Sequence, residues 1–229
     1  MITLITGTSK GIGRYLSEYY IGVGHIVVGC SRGESDFENK NYYHYRLDVS
    51  NEREVIQMVK DVKKRFGSIE NLINNAGIAM MNHLLLTPLS AFDNVFRTNV
   101  FGTFLFLREV SKVMIKNNYG RIVNFATVAT PLLLEGEATY AASKSAIESI
   151  TRISARELAP FAITVNALGP TPIKTDLIKN VPKEKMDSLL NRQAIHRFGE
   201  FEDISNVINF FISKESDFIT GQIVYLGGV

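Results

Sequence analysis

Cysteine, tryptophan and histidine are scarce in this chain of 229 residues, which holds one, none and four of them. A lone Cys30 cannot form an intramolecular disulfide, and histidines scattered without ligand spacing give no zinc pattern. Long apolar runs are missing as well. The longest, Val100 to Leu107, is broken by Gly102 and Thr103 and falls short of the roughly 20 residues that a bilayer span needs. Neither sign of charge dominates, since 25 basic and 23 acidic residues leave a formal net charge of +2. The densest basic cluster, Lys60, Lys63, Lys64 and Arg65, falls late in a helical stretch, where cations complement the helix dipole and face solvent rather than nucleic acid. No basic segment followed by a cleavable apolar one precedes the first strand signal. These absences set the expectation of a soluble cytoplasmic protein with no metal, membrane or nucleic-acid partner.

What is present is an alternation. Strand signals recur at Ile2 to Thr6, Ile26 to Cys30, Tyr42 to Leu47, Asn71 to Asn74, Arg121 to Phe125, Ile163 to Leu168 and Ile223 to Leu226, with helical stretches between most of them. Such alternation implies a parallel sheet covered on both faces, with ligands at the carboxyl ends of the strands. With 45% hydrophobic content and no proline-rich, serine-rich or like-charge block, residues 1–229 are expected to form one domain.

The first strand runs into TGTSKGIG, which places glycines at Gly7, Gly11 and Gly13. Gly7 would permit a sharp turn, Gly11 a close backbone approach to a pyrophosphate, and Gly13 tight packing of helix on strand, with the helix N-terminus supplying amide donors. The spacing is GxxxGxG rather than GxGxxG, and by itself it fits either a dinucleotide site or an ordinary glycine turn. Further on, Tyr140 and Lys144 stand four residues apart and would share one face of a helix. A cation beside a phenol stabilises the phenolate and draws its pKa down toward the range of a useful proton donor.

TGTSKGIG, Asp48 and Val49 after the third strand, NNAG at Asn74 to Gly77, Asn99 and YAASK at Tyr140 to Lys144 together resemble the short-chain dehydrogenase/reductase family. The match extends through Thr220, Gly221 and Gln222 to Gly227 and Gly228. The resemblance implies an α/β fold, a Rossmann-type doubly wound parallel seven-stranded sheet with helices on both faces. It implies hydride exchange between a nicotinamide and a carbonyl or secondary alcohol. It assigns catalysis to Tyr140 as proton donor, Lys144 as its electrostatic partner and ribose ligand, Asn99 as holder of a relay water, and Thr127 as the hydroxyl on the substrate oxygen. Cofactor positions implied are Gly7, Ser9, Lys10, Gly11, Ile12, Gly13, Ser31, Arg32, Asp48, Val49, Asn75, Ala76, Gly77, Tyr140, Lys144, Pro170, Ile173 and Thr175. A homodimer or homotetramer is implied on the helices near Asn99 and Tyr140, the second of which carries the small residues Ala141, Ala142, Ser145, Ala146 and Ser149.

Three departures from the family pattern stand out. Thr127 replaces the usual serine; the hydroxyl is kept, but the methyl restricts χ1. Thr171 follows Pro170 where the family has glycine, and Leu226 stands where an aspartate commonly precedes the closing glycines. The cofactor follows from charge. No acid stands at Cys30, Ser31 or Arg32 to bind an adenosine ribose, while Arg32 and Lys10 could converge on a 2′-phosphate, so NADP(H) is favoured over NAD(H). Residues 171–197, with Leu177, Ile178, Val181, Met186, Leu189 and Leu190, resemble the family's substrate lid. Met81, Leu132, Leu133 and Leu134 are candidates for the other walls, and Glu135 and Glu137 could meet a polar substrate. A 3-oxoacyl thioester is the leading substrate class, a sugar or other small secondary alcohol the alternative, and an NADP-binding regulatory protein without turnover the alternative of another kind. Extended epimerases and enoyl reductases are disfavoured, the latter by the narrow Tyr to Lys spacing.

Overall fold

The computed structural model describes residues 1–179 and 181–229, apart from the Leu177 side chain, so the expectation placed on that side chain lies outside the described residues. The chain runs β1 (Ile2–Thr6), α1 (Gly11–Gly22), β2 (Ile26–Ser31), β3 (Tyr42–Arg46), α2 (Glu52–Phe66) and β4 (Asn71–Asn74). It continues through α3 (Leu89–Phe96), a π-helical turn (Arg97–Phe101), α4 (Gly102–Asn117), β5 (Gly120–Phe125), α5 (Ala129–Leu132) and α6 (Ala138–Leu158). β6 (Ile163–Gly169), α7 (Lys183–Asn191), α8 (Phe201–Ile212) and β7 (Ile223–Tyr225) complete it.

The strands form one parallel sheet in the order β3-β2-β1-β4-β5-β6-β7. Every position of β1, β4, β5 and β6 is buried, as a sheet covered on both faces requires, whereas the edge strands β3 and β7 are partly exposed. On one face Leu16 and Tyr20 of α1 pack with Ile204, Ile208 and Phe211 of α8. On the other, Val55, Met58 and Val62 of α2 meet Phe106, Val110 and Met114 of α4 and Ala155 and Leu158 of α6. The order reverses between β1 and β4, which opens a crevice at their carboxyl ends.

Local chemistry sets the helix limits. Asn51 caps α2 by accepting from the Arg53 and Glu54 amides at 3.2 and 3.4 Å. Glu52 and Glu54 lie in its first turn, Lys63, Lys64 and Arg65 in its last, and it ends at Gly67 with φ of 80°. The basic cluster therefore sits where the helix dipole favours cations. Among the described residues no helix is long and apolar enough to cross a membrane.

A buried polar tie fixes α6 on the sheet. Asn124 of β5 is fully buried, accepts from Asn74 Nδ2 of β4 at 2.9 Å and donates to Thr151 Oγ1 of α6 at 2.9 Å. Removing one partner of a buried hydrogen bond costs about 1–3 kcal/mol, and at this chain length each kcal/mol shifts Tm by roughly 2–4 °C. Asn124→Ala is expected to lower Tm by several degrees in a calorimetric scan; an unshifted transition would show that the tie carries no stability.

Candidate active site

Two adjoining cavities open at the strand carboxyl ends. The first, of about 600 Å³, runs from Arg32 and Asp48 past the glycine turn to Tyr140 and Lys144. The second, of about 490 Å³, lies between α5, the start of α6 and α7. Tyr140 lines both, together with Ile12, Ala79, Pro170 and Thr175.

The turn after β1 is built for close approach. Gly7 and Gly11 adopt φ of 75° and 59°, the left-handed region that favours glycine. A Cβ on Gly13 would stand 2.1 Å from the Gly7 carbonyl oxygen and 2.5 Å from Asn75 Nδ2. Asn75 Nδ2 donates to the carbonyls of Thr6 and Gly7 at 2.9 and 3.1 Å, and the Ala76 amide donates to Thr6 Oγ1 at 2.9 Å. The β1 and β4 ends are thereby clamped. Among the described residues no side chain caps α1 and no acid stands in its first turn, so its leading amides are left as anion donors.

At the far end of this cleft, Ser31 donates to the Gly33 carbonyl at 2.9 Å and the Arg32 carbonyl accepts from Arg46 Nε at 3.1 Å, which fixes the loop while Arg32 itself is exposed. The expected convergence of Lys10 with Arg32 is not found. Lys10 Nζ pairs instead with Asp176 Oδ2 at 2.8 Å, because the segment after Thr175 brings an acid to the turn. Both partners are largely exposed, so the pair is screened and readily exchanged. Asp48 Oδ1 accepts from both the amide and the hydroxyl of Ser50 at 2.8 Å, and buried Val49 fills the space where Gly102 has no side chain.

Tyr140 and Lys144 do share one face of α6. Lys144 is buried; its Nζ donates to the Phe125 carbonyl at 2.7 Å and lies 5.9 Å from the Tyr140 ring centre. Burial lowers the lysine pKa to about 8. The expectation of a depressed tyrosine pKa is corrected here. Burial pushes the phenol up to about 12, the nearby Thr127 hydroxyl pulls the other way, and Glu137 raises it further. Lys144, whose Nζ is turned to the Phe125 carbonyl, does not offset the desolvation. Thr127 is buried in the second cavity, and its Oγ1 also accepts from the Ala129 amide at 3.2 Å.

Asn99 lies in the π-helical turn and lines neither cavity. Its Oδ1 accepts from the Ile78 amide at 2.8 Å, while Nδ2 donates to the Ile78 carbonyl at 2.9 Å and to Ser143 Oγ at 3.0 Å. A Cβ on Gly77 would meet Asn99 Oδ1 at 3.2 Å and Lys144 Nζ at 3.6 Å, so the glycine sits close against both groups. Gly13 also lines neither cavity, and Ile173 lines the second rather than the first. Met81, Leu133, Leu134, Met186 and Leu189 line the second cavity as expected, but Leu132 and Leu190 do not. Several participants carry no side-chain signal: the Phe125 carbonyl that holds Lys144, the Gly199 position described below, and Asp176, whose role needs the fold.

Thr171 is compensated in packing by Gly199. A Cβ on Gly199 would fall 2.8 Å from Thr171 Cγ2 and 3.2 Å from Ile173 Cγ1, so the threonine methyl occupies space that a side chain at 199 would need. Thr171 is buried without a left-handed φ and needs no glycine itself.

A doubly wound sheet with a glycine turn at its reversal point and a Tyr–Lys pair beside it defines a Rossmann-type nicotinamide oxidoreductase. A family model described as "Enoyl-(Acyl carrier protein) reductase" matches residues 7–228. The 3-oxoacyl-[acyl-carrier-protein] reductase FabG of Staphylococcus epidermidis (strain ATCC 35984) is 32% identical over 98% of this chain and 96% of its own. That of Vibrio cholerae is 30% identical over 99% and 96%. Among solved structures, levodione reductase superposes with a TM-score of 0.91 at 27% identity, covering 99% of this chain and 96% of its own. ElxO with NADP bound superposes at 0.89 and 29% identity, covering 98% and 96%. The chain belongs to the short-chain dehydrogenase/reductase family, whose members are oxidoreductases acting on CH–OH and carbonyl groups.

Overpacking a buried contact costs typically about 1–3 kcal/mol. Gly199→Ala is expected to lose stability on that scale in urea unfolding, and Thr171→Ala in the same chain to recover most of it. Additive losses in the double variant would refute the compensation.

Proposed function

We propose that this protein is an NADP(H)-dependent reductase of a ketone, with Tyr140 as the proton donor. The observation that carries the reading is the place of Tyr140 at the junction of the two cavities, with Thr127 lining the second beside it. The first cavity fits a nicotinamide dinucleotide. The Gly13 position leaves no room for a Cβ, α1 offers uncapped amides for a pyrophosphate, and the length from Arg32 to Tyr140 suits an extended ligand. When bound, the reduced nicotinamide would supply hydride to the substrate carbon.

The chain's own residues handle the proton. Charge that develops on the carbonyl oxygen is met by the Thr127 hydroxyl and quenched by the Tyr140 proton. A phenol held at about 12 is protonated at neutral pH, which is the form reduction requires, and an alkoxide is still the stronger base. Lys144 is placed to hold the nicotinamide ribose and, as an ammonium, to follow the departing proton with positive charge. The proton would be resupplied from solvent by way of Lys144, whose Nζ lies near Gly77 and Asn99 Oδ1. Asn99 itself keeps Ile78 and Ser143 in register behind the lysine.

Arg32 supports the 2′-phosphate reading, since its guanidinium stands exposed at the cleft end and no acid occupies the neighbouring positions Cys30, Ser31 and Gly33. ElxO, with NADP bound, supports it as well. Lys10 would join only by leaving Asp176. The four-residue Tyr140 to Lys144 spacing favours a carbonyl over an enoyl substrate, and the FabG relatives favour a 3-oxoacyl thioester. Residues 171–197 form the lid of this one domain. The exposed Leu84, Leu85, Leu86 and Leu89, with Phe101 of the π-helical turn, Phe104 of α4 and the small exposed Ala142, Ser145 and Ser149 of α6, support assembly as a homodimer or homotetramer. The cytoplasm supplies the cofactor and is the expected location.

The test is NADPH oxidation at 340 nm against a panel of ketones and 3-oxoacyl thioesters. Tyr140→Phe is expected to lose ~10²–10⁴ in kcat, and Arg32→Ala to weaken NADPH about tenfold or more while sparing NADH. Equal losses for both cofactors would sink the 2′-phosphate assignment, and cofactor binding without turnover on any substrate would sink the reductase reading. Lys144 titrates at about 8. Its ammonium form is lost as pH rises through that value, so kcat/KM for reduction is expected to fall above about pH 8, and a flat profile to pH 10 would exclude it.

A further inference from the structure

Glu137 is an anomaly in the second cavity. It stands at the N-terminal boundary of α6, is 8% exposed, and its side chain makes no capping bond. Its Oε2 is buried with no hydrogen-bond partner among the described residues. Water and backbone donors would ordinarily satisfy such an oxygen, and leaving it bare is costly. The cavity around it is otherwise walled largely by apolar side chains such as Met81, Leu134, Met186 and Leu189. The unpaired acceptor therefore points to a donor that arrives with the substrate.

We infer that Glu137 is a specificity-determining residue that accepts a hydrogen bond from a hydroxyl on the carbon beside the reacting carbonyl, which makes an α-hydroxy ketone the preferred substrate class. The inference rests on the reductase reading above and deepens it. Position decides the class. Glu137 lines the same cavity as Tyr140 and acts on its phenol, so the two side chains are neighbours. An acceptor that close to the proton donor meets a group one or two bonds from the carbonyl, and a plain acyl chain places only C–H there. Charge decides between a hydroxyl and an ammonium. Lys185 of α7 lines the same cavity and acts on Glu137, and Arg192 lines it too, so a further cation would enter against two others. Glu135 and Glu184 are the remaining acids at this cavity, and Tyr140 the remaining titratable group.

Burial pushes the Glu137 carboxyl up to about 7, with Lys185 pulling it down. As pH rises through that value the group ionises and becomes a pure acceptor, so selectivity for the hydroxylated ketone should grow.

The test compares kcat/KM for 3-hydroxybutan-2-one and butan-2-one with NADPH in wild type, Glu137→Gln and Glu137→Leu. The preference ratio cancels general damage to the active site and intrinsic differences in ketone reactivity. The ratio is expected to fall at least tenfold in Glu137→Leu and to be largely kept in Glu137→Gln, whose amide oxygen still accepts. In wild type the ratio should rise between pH 6 and pH 8, and in Glu137→Gln it should be flat. Reduction of both ketones with a ratio that neither variant nor pH moves overturns the inference alone. No oxidation of NADPH with any ketone or thioester overturns the reductase reading with it. Should the leucine variant fail to fold, the pH profiles of wild type and Glu137→Gln still decide.

Discussion

The contact on which the site depends is the one between the Lys144 ammonium and the Phe125 carbonyl, 2.7 Å apart and both buried. A cation taken out of water needs compensation, and this one receives a single carbonyl at the end of β5. The incomplete payment shows in its pKa of about 8. That shortfall suits a group that is to exchange partners, because a lysine fully satisfied by protein acceptors would have little to gain from a ribose or a relay water. One residue upstream, Asn124 ties β5 to Thr151 on the same helix, so strand and helix are joined at two points about two turns apart on α6. Tyr140 then has its place along the sheet edge fixed by bonds it does not itself make.

Tyr140 illustrates the difference between adjacency and electrostatic control. Its sequence spacing to Lys144 puts the two on one face, and the structure agrees, yet the phenol is driven up rather than down. Desolvation of both groups acts in opposite senses on an acid and a base: it favours neutral phenol and neutral amine together. A pair buried in this way rests uncharged or singly charged, and charge enters it with the reaction. Such a resting state keeps the proton on the phenol until a stronger base appears beside it, which is what carbonyl reduction provides.

Much of this was legible in the sequence. All seven strands fall within about one residue of the expected limits, because a sheet buried on both faces writes itself as short apolar, β-branched runs bounded by turn residues. The glycine turn, the NNAG clamp and the Tyr–Lys face were readable because each demands particular residue types. The pairing of Lys10 was not readable for the opposite reason: its partner, Asp176, lies 166 positions away, and only the fold brings them together. The packing of the Thr171 methyl against Gly199 was not readable either, because the two lie 28 positions apart. Asn99 was identified by type and position, but its carboxamide is committed to Ile78 and Ser143, partners that lie elsewhere in the chain and that only the fold reveals.

The two cavities differ in what they ask of their ligands. The first is lined by backbone amides, a glycine turn and exposed cations, features indifferent to side-chain detail and dependent on tight turns. It accepts little variation, since a single Cβ at Gly13 would collide with a main-chain oxygen. The second is built from long apolar side chains on α7 and the loop before α6, where a substitution alters shape without disturbing the sheet. An acid placed there costs stability that an apolar residue would not, and nothing in the fold uses it: Glu137 neither caps its helix nor pairs with a base in direct contact. A buried acid that the described residues leave unpaired is the kind of feature a bound ligand can account for where the fold does not.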